Sequence, residues 1–425
     1  MNPHDIAQRV LEGDFSHIPG DAGSWTGWMN HPEALDSLVE RIQSLELRHH
    51  EETVLVGMGG SSSGAGMFAH QLGITSLTIL DTSHPDSIQG TNFENVNLVV
   101  SSKSGGTIET VATMAYALSH GASAKDLTVI TDRGTPLDEL GTSLGAAMLY
   151  GDPHTGGRFS ALSAFGVAPV LISGASAIAT SVLGDEEWIA SFVNGFKSAP
   201  PSGWGTTTIS GDPLSSFTAL WEEQLIAEST GKDGKGVLPT PGSPLEIRDI
   251  VQHVQKTHAF TVGLCVALGV DPFIQPDVES AKRRTFAELT RPSKDEFITP
   301  EALRAWIDRG GPVALQVYGP LDRAGEVAQL RASMAMMGHE VSAGLGPRYL
   351  HSTGQLHKGG STVLRFLQIL VEPEIKPERI EGRRYSFHDL LSAQARGDFH
   401  DLLGRGRDIV RVKVSPGEPL DVLLH

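Results

Sequence analysis

Residues 53–64 read TVLVGMGGSSSG. A short apolar run ends in a turn of glycine and serine, and SGAGMFAHQLG (63–73) carries on in a helical pattern. That order of strand, small-residue turn and helix is the repeating unit of a parallel α/β sheet. Backbone N–H groups at such a helix start, with hydroxyls added, suit an anion. The unit recurs where NLVVSSK (97–103) runs into SSKSGGTIET (101–110), which brings Ser102, Ser104 and Thr107 to a second helix start. SLTILD (76–81), LTVIT (127–131) and AAMLY (146–150) alternate with helical stretches such as TIETVATMAYALSHG (107–121). The fold expected is therefore α/β, a doubly wound, mainly parallel sheet flanked by helices. Two small-residue loops at the carboxyl ends of neighbouring strands would then converge on the crevice where such sheets bind ligands.

The second half is mixed in the same way. Helices are expected at 215–229, 257–269 and 322–338, and strands at VALQVYG (313–319), STVLRFLQILV (361–371) and IVRVKV (409–414). The Pro/Gly-rich patch KSAPPSGWG (197–205) is the best boundary. The organisation expected is a helical segment over 1–50, a first domain over 51–200 and a second over 205–425. A chain of 425 residues is long for one small core.

A formal charge of −17 excludes nucleic acid or an anionic membrane as the main partner, so an anionic substrate would need local donors. The single cysteine, Cys265 in TVGLCVALG, has apolar neighbours and fits the core of a cytoplasmic protein. MNPHDIAQRVLEGD at the start is too polar for a secretory signal. SALSAFGVAPVLISGASAIATSVLG (160–184) carries no charge, but its serine, alanine and glycine content and Pro169 favour helices buried against a sheet over a membrane span.

Neither small-residue loop is a P-loop, because the lysine of that motif is missing. GAGMFA (64–69) fits a dinucleotide fingerprint with Asp81 ending the next strand, yet its glycines fall inside the helical stretch. In EQLIAESTGKDGKG (223–236), Gln224 and Glu228 are four apart and share a helix face, while Lys232 and Lys235 read as solvated loop charges. Arg158 sits in GGRFS, where two glycines allow a close approach to a ligand. Gln275 and Lys282, seven apart in DPFIQPDVESAKRR (271–284), can face one ligand from a helix starting near Pro276, which leaves Arg283 and Arg284 as solvated charges. His351 and His357 compete within GPRYLHSTGQLHKGG (346–360). No histidine pair stands in metal-site order, so neither metal nor cofactor is expected.

Together these segments resemble the glucose-6-phosphate isomerase family, built from two sugar isomerase (SIS) domains. GMGGSSSG and SSKSGGTIET look like its phosphate-side loops, HTGGRFSALSAFG (154–166) like the arginine segment, and the 223–236, 271–284 and 346–360 stretches like its other active-site segments. The resemblance implies interconversion of glucose 6-phosphate and fructose 6-phosphate. Glu228 would be the base that carries a proton between C1 and C2, and Arg158 would stabilise the enediolate. Lys282 and His351 would open the sugar ring, the spacing of HSTGQLHKGG favouring His351 over His357. Gln224 would orient the ligand and Gln275 would contact a phosphate or hydroxyl. Gly60, Ser61, Ser102, Lys103, Ser104 and Thr107 would bind substrate. In relatives the histidine comes from the neighbouring subunit, which implies a homodimer. The order Glu228, Lys282, His351 and the ending SFHDLLSAQARGDFHDLLGRGRDIVRVKV resemble the isomerase half of transaldolase fusions. No transaldolase-like segment is visible, so association with a separate transaldolase is a further expectation. The alternatives are an isomerase that also accepts mannose 6-phosphate, a non-catalytic sugar-phosphate sensor, and a nicotinamide oxidoreductase resting on GAGMFA alone.

Overall fold

The computed structural model describes residues 2–20, 22–48, 50–176, 204–245, 247 and 249–424. Five parallel strands form the first sheet: β1 (Glu52–Gly57), β2 (Leu77–Leu80), β3 (Val96–Ser101), β4 (Leu127–Thr131) and β5 (Ala147–Tyr150), in the order β2-β1-β3-β4-β5. Its strands are buried on both faces. Leu55, Val99, Ile130 and Leu149 face one apolar cluster, with Phe68 and Val167, and Val54, Val56, Leu98 and Val100 face another, with Ala112 and Leu137. Near-continuous apolar runs such as TVLV follow from that double burial. The strand order reverses between β1 and β3, whose ends Gly57 and Ser101 pair in register. The loops after these two strands therefore meet at the switch point, as expected.

A small sheet pairs β6 (Trp204–Ile209) with β7 (Gly236–Pro241) in parallel. The third sheet comprises β8 (Val313–Tyr318), β9 (Val341–Leu345), β10 (Arg365–Val371) and β11 (Ile409–Val414), all parallel, in the order β11-β10-β8-β9. Several elements were missed by the sequence reading. β9 is only five residues long with a glycine inside, and the β6–β7 pair holds threonines and two prolines rather than a β-branched apolar run. The helix Phe387–Gly404 buries Gln394, Arg396, Asp398 and Asp401 among its apolar residues, so its inward face is partly polar and its pattern reads as surface.

The helix Ser63–Gln71 contains Gly64 and Gly66. A Cβ on Gly66 would come within 2.3 Å of the Phe217 ring, so these glycines serve helix packing rather than a phosphate turn. Asp81 pairs with Arg348 at 2.8 Å instead of standing free for a ribose. In the uncharged stretch, the helix Ala164–Ile172 is wholly buried around Pro169, while 177–184 lie outside the described residues, as do 197–203 of the expected boundary. No helix among the described residues is long and apolar enough to cross a membrane.

Candidate active site

The helix Phe217–Thr230 is capped at its start by Ser216 and buried over nearly its whole length. Glu228 lies in its last turn, where the negative end of the helix dipole disfavours a carboxylate. Two donors offset that cost. Arg158 Nη1 donates to Glu228 Oε1 at 3.0 Å, and Gln224 Nε2 donates to Oε2 at 3.0 Å. Gln224 is oriented in turn by the Ser63 hydroxyl, which donates to its Oε1 at 2.9 Å. The shared helix face of Gln224 and Glu228 is thus a hydrogen-bonded pair rather than a solvated edge, and Glu228 is only 8% exposed.

Arg158 comes from a short turn, Gly157–Phe159, and is 3% exposed. Its Nε donates to Ser229 Oγ at 2.8 Å, and Nη2 donates to the carbonyls of Pro272 and Ile274. Two separate segments thus hold one guanidinium, a fork geometry that fixes its plane.

The loop after β1 threads this cluster. Gly59 has φ of +55° and packs on the His351 backbone, and a Cβ there would lie 2.5 Å from His351 O and 2.9 Å from Gln224 Nε2. A Cβ on Gly60 would lie 2.2 Å from Gly157 O and 2.9 Å from Arg158 N. No side chain fits between these groups, which is why two glycines precede the buried serines Ser61, Ser62 and Ser63. The loop after β3 has a buried Ser102, whose hydroxyl lies 2.9 Å from Thr107 Oγ1, and an exposed Ser104. Lys103 is committed inside the protein, donating to both Asp132 oxygens and to Asp152 O.

His351 meets this cluster within its own chain, its backbone packing on Gly59. Its Nε2 lies 2.8 Å from Glu109 Oε1. Burial pushes the Glu109 carboxyl up, but the His351 charge and the hydrogen bonds from His351 and Gln394 outweigh it and hold the carboxyl below its usual value. Glu109 went unread in TIETVATMAYAL because one acid in a first helical turn reads as dipole compensation. His357, the rival, is buried against the second large sheet with Nδ1 3.1 Å from Gln316 Nε2, and burial drives it well below the usual histidine range.

Two expected residues are not brought in. Lys282, on the helix Val278–Thr290, has a side chain 58% exposed and pairs with Glu279 at 2.7 Å. Gln275 is exposed beside Ile274. One reading is corrected outright. Lys232 is 2% exposed, not a solvated charge, because its ammonium caps the helix end through Ser229 O and reaches Asp271 O at 2.7 Å. Burial, followed by the Arg158 charge, pushes it down to about 8. Lys235 likewise donates to Leu268 O at 2.7 Å. Arg284 is half-exposed and pairs with Asp401 at 2.9 Å. Among the described residues, no group of three or more His, Cys, Asp or Glu side chains is placed to hold a metal.

Fold and site together define a doubly wound α/β protein with a buried carboxylate–guanidinium centre beside two small-residue loops. No family model matches the chain. Curated relatives do. A glucose-6-phosphate isomerase from Symbiobacterium thermophilum is 26% identical over 305 residues, covering 60% of this chain and 68% of that one. One from Campylobacter jejuni is 31% identical over 159 residues, covering 34% of this chain and 39% of that one. The chain thus spans about two thirds of the first relative and two fifths of the second. A solved glucose-6-phosphate isomerase from Chlamydia trachomatis overlaps 94% of this chain and 63% of its own at 15% identity, with a TM-score of 0.32, too loose a match to carry an argument. The chain is similar in sequence to glucose-6-phosphate isomerases over a third to two thirds of its length.

Proposed function

We propose that the protein interconverts D-glucose 6-phosphate and D-fructose 6-phosphate by ring opening followed by a metal-free enediol proton transfer. The observation that carries this reading is the Glu228 carboxylate, held between Gln224 and Arg158 under a loop that also touches His351. Isomerisation needs one base that reaches both C1 and C2, and a buried carboxylate of fixed orientation suits it. The enediolate needs a donor already in place, which Arg158 supplies without reorganisation. In this reading His351 and Glu109 exchange protons with the ring oxygen and anomeric hydroxyl. Gly60, Ser61, Ser102, Ser104 and Thr107 hold the phosphate, and Lys103 braces the second loop. Gln224 orients the ligand, and Gln275 and Lys282 belong to its outer rim.

The test is turnover of fructose 6-phosphate coupled to glucose-6-phosphate dehydrogenase, with EDTA present. Turnover is expected. Tight sugar-phosphate binding without turnover would overturn the reading in favour of a sensor, and equal use of mannose 6-phosphate would widen the substrate class. The buried free thiol Cys265 fits a cytoplasmic setting. A homodimer and docking of a separate transaldolase complete the proposal, and light scattering with and without that partner checks both.

A further inference from the structure

The acid of the ring-opening pair is itself held by a residue from the far end of the chain. Gln394, on the helix Phe387–Gly404, donates Nε2–H to Glu109 Oε1 at 2.6 Å, the same oxygen that faces His351 at 2.8 Å. Its other amide atom, Oε1, accepts the Ser83 hydroxyl at 2.6 Å. Ser83, Gln394 and Glu109 are 0%, 2% and 3% exposed, so none of these groups can turn to water instead. The serine hydroxyl settles which way the amide points, and the amide settles which carboxylate oxygen is presented to the imidazole. The helix has no other polar tie to Glu109, although its Phe387 and Leu390 pack into the apolar cluster beneath the first sheet.

From this chain of contacts we infer that Gln394 is a positioning residue for ring opening: with Ser83 it fixes the Glu109 carboxylate that holds the His351 imidazole. The inference rests on the isomerase reading above. It assigns Gln394 to one step only, because no contact links it to Glu228, Arg158 or Gln224.

The test uses Gln394→Leu and the gentler Ser83→Ala in the full chain, with two sugars. Fructose 6-phosphate must be ring-opened, whereas 5-deoxyfructose 6-phosphate cannot close a furanose ring. Turnover of the first should fall about tenfold to a hundredfold in Gln394→Leu, as for one lost hydrogen bond to a charged group. Ser83→Ala should move it the same way by less. Solvent deuterium exchange into the second should stay within about twofold of wild type. A parallel fall in both, or no fall in either, would overturn the assignment. The third variant, Gln394→Glu, nearly isosteric, sets a second carboxylate against Glu109 and should raise the NMR titration midpoint of His351 in the free protein by about one unit. An unmoved midpoint would also overturn it. Wild-type protein inert toward both sugars would defeat the isomerase reading instead, and the His351 titration would then report only whether Gln394 is coupled to His351 through Glu109.

Discussion

Gly60→Ala adds one methyl group where the structure has no room for it. The new Cβ would lie 2.2 Å from Gly157 O, 2.5 Å from Gly157 C and 2.9 Å from Arg158 N. Comfortable carbon contacts begin at about 3.5 Å, so the loop and the Gly157–Arg158 peptide must separate by about 1 Å. All the near atoms are backbone, and no rotamer change relieves them. Overpacking of this kind costs about 1–3 kcal/mol of stability. The larger effect should fall on catalysis, because the displaced segment carries the guanidinium that holds Glu228 at 3.0 Å. A displacement of about 1 Å at a reacting centre can cost about a hundredfold. The assay is kcat/KM for fructose 6-phosphate in the coupled reaction, with a urea melt of the same sample. Gly325→Ala is the control, since nothing lies within 4 Å of a Cβ there. Near-wild-type kcat/KM in Gly60→Ala would refute the claim that this loop and Arg158 are held in mutual register.

Two further substitutions separate burial from exposure. Burial, with Asp212 adding, pushes the Glu223 carboxyl up to about 8 against Arg331 and Arg348. An acid raised in the folded state costs stability progressively as pH climbs from its unfolded value near 4.5 through about 8. Glu223→Gln should therefore stabilise by about 4 kcal/mol at pH 8 and hardly at all at pH 4.5, measured by urea denaturation at both pH values. An equal gain at the two would show that the charge is not the cause. Lys282→Ala removes an exposed pair worth under about 1 kcal/mol and should leave turnover within about twofold. A hundredfold loss would mean that the helix Val278–Thr290 carries Lys282 to the substrate during the reaction.

Much of the fold was legible because parallel strands buried on both faces leave apolar runs of the right length. LTVIT and IVRVKV match β4 and β11 residue for residue. Where burial is polar the pattern failed, as in the helix Phe387–Gly404, whose inward residues Gln394 and Asp398 look like solvent-facing ones. The site divides in the same way. The Gln224–Glu228 spacing follows from helix geometry, and the paired glycines follow from a loop crossed by other backbone. Glu109 and Gln394 act across 285 residues of separation, which no local pattern encodes. Lys232 shows the opposite error, a charge in a glycine-rich loop that reads as solvated and is sunk under the helix end it caps.

Glu228→Gln tests the central claim most directly. In D2O with EDTA, NMR follows loss of the C2 hydrogen of glucose 6-phosphate and deuterium entry at C1 of fructose 6-phosphate. Wild type should exchange both positions. The variant keeps its amide in place of the carboxylate and should lose about a hundredfold to ten-thousandfold of that exchange while still binding fructose 6-phosphate. Exchange at the wild-type rate in Glu228→Gln would contradict the account.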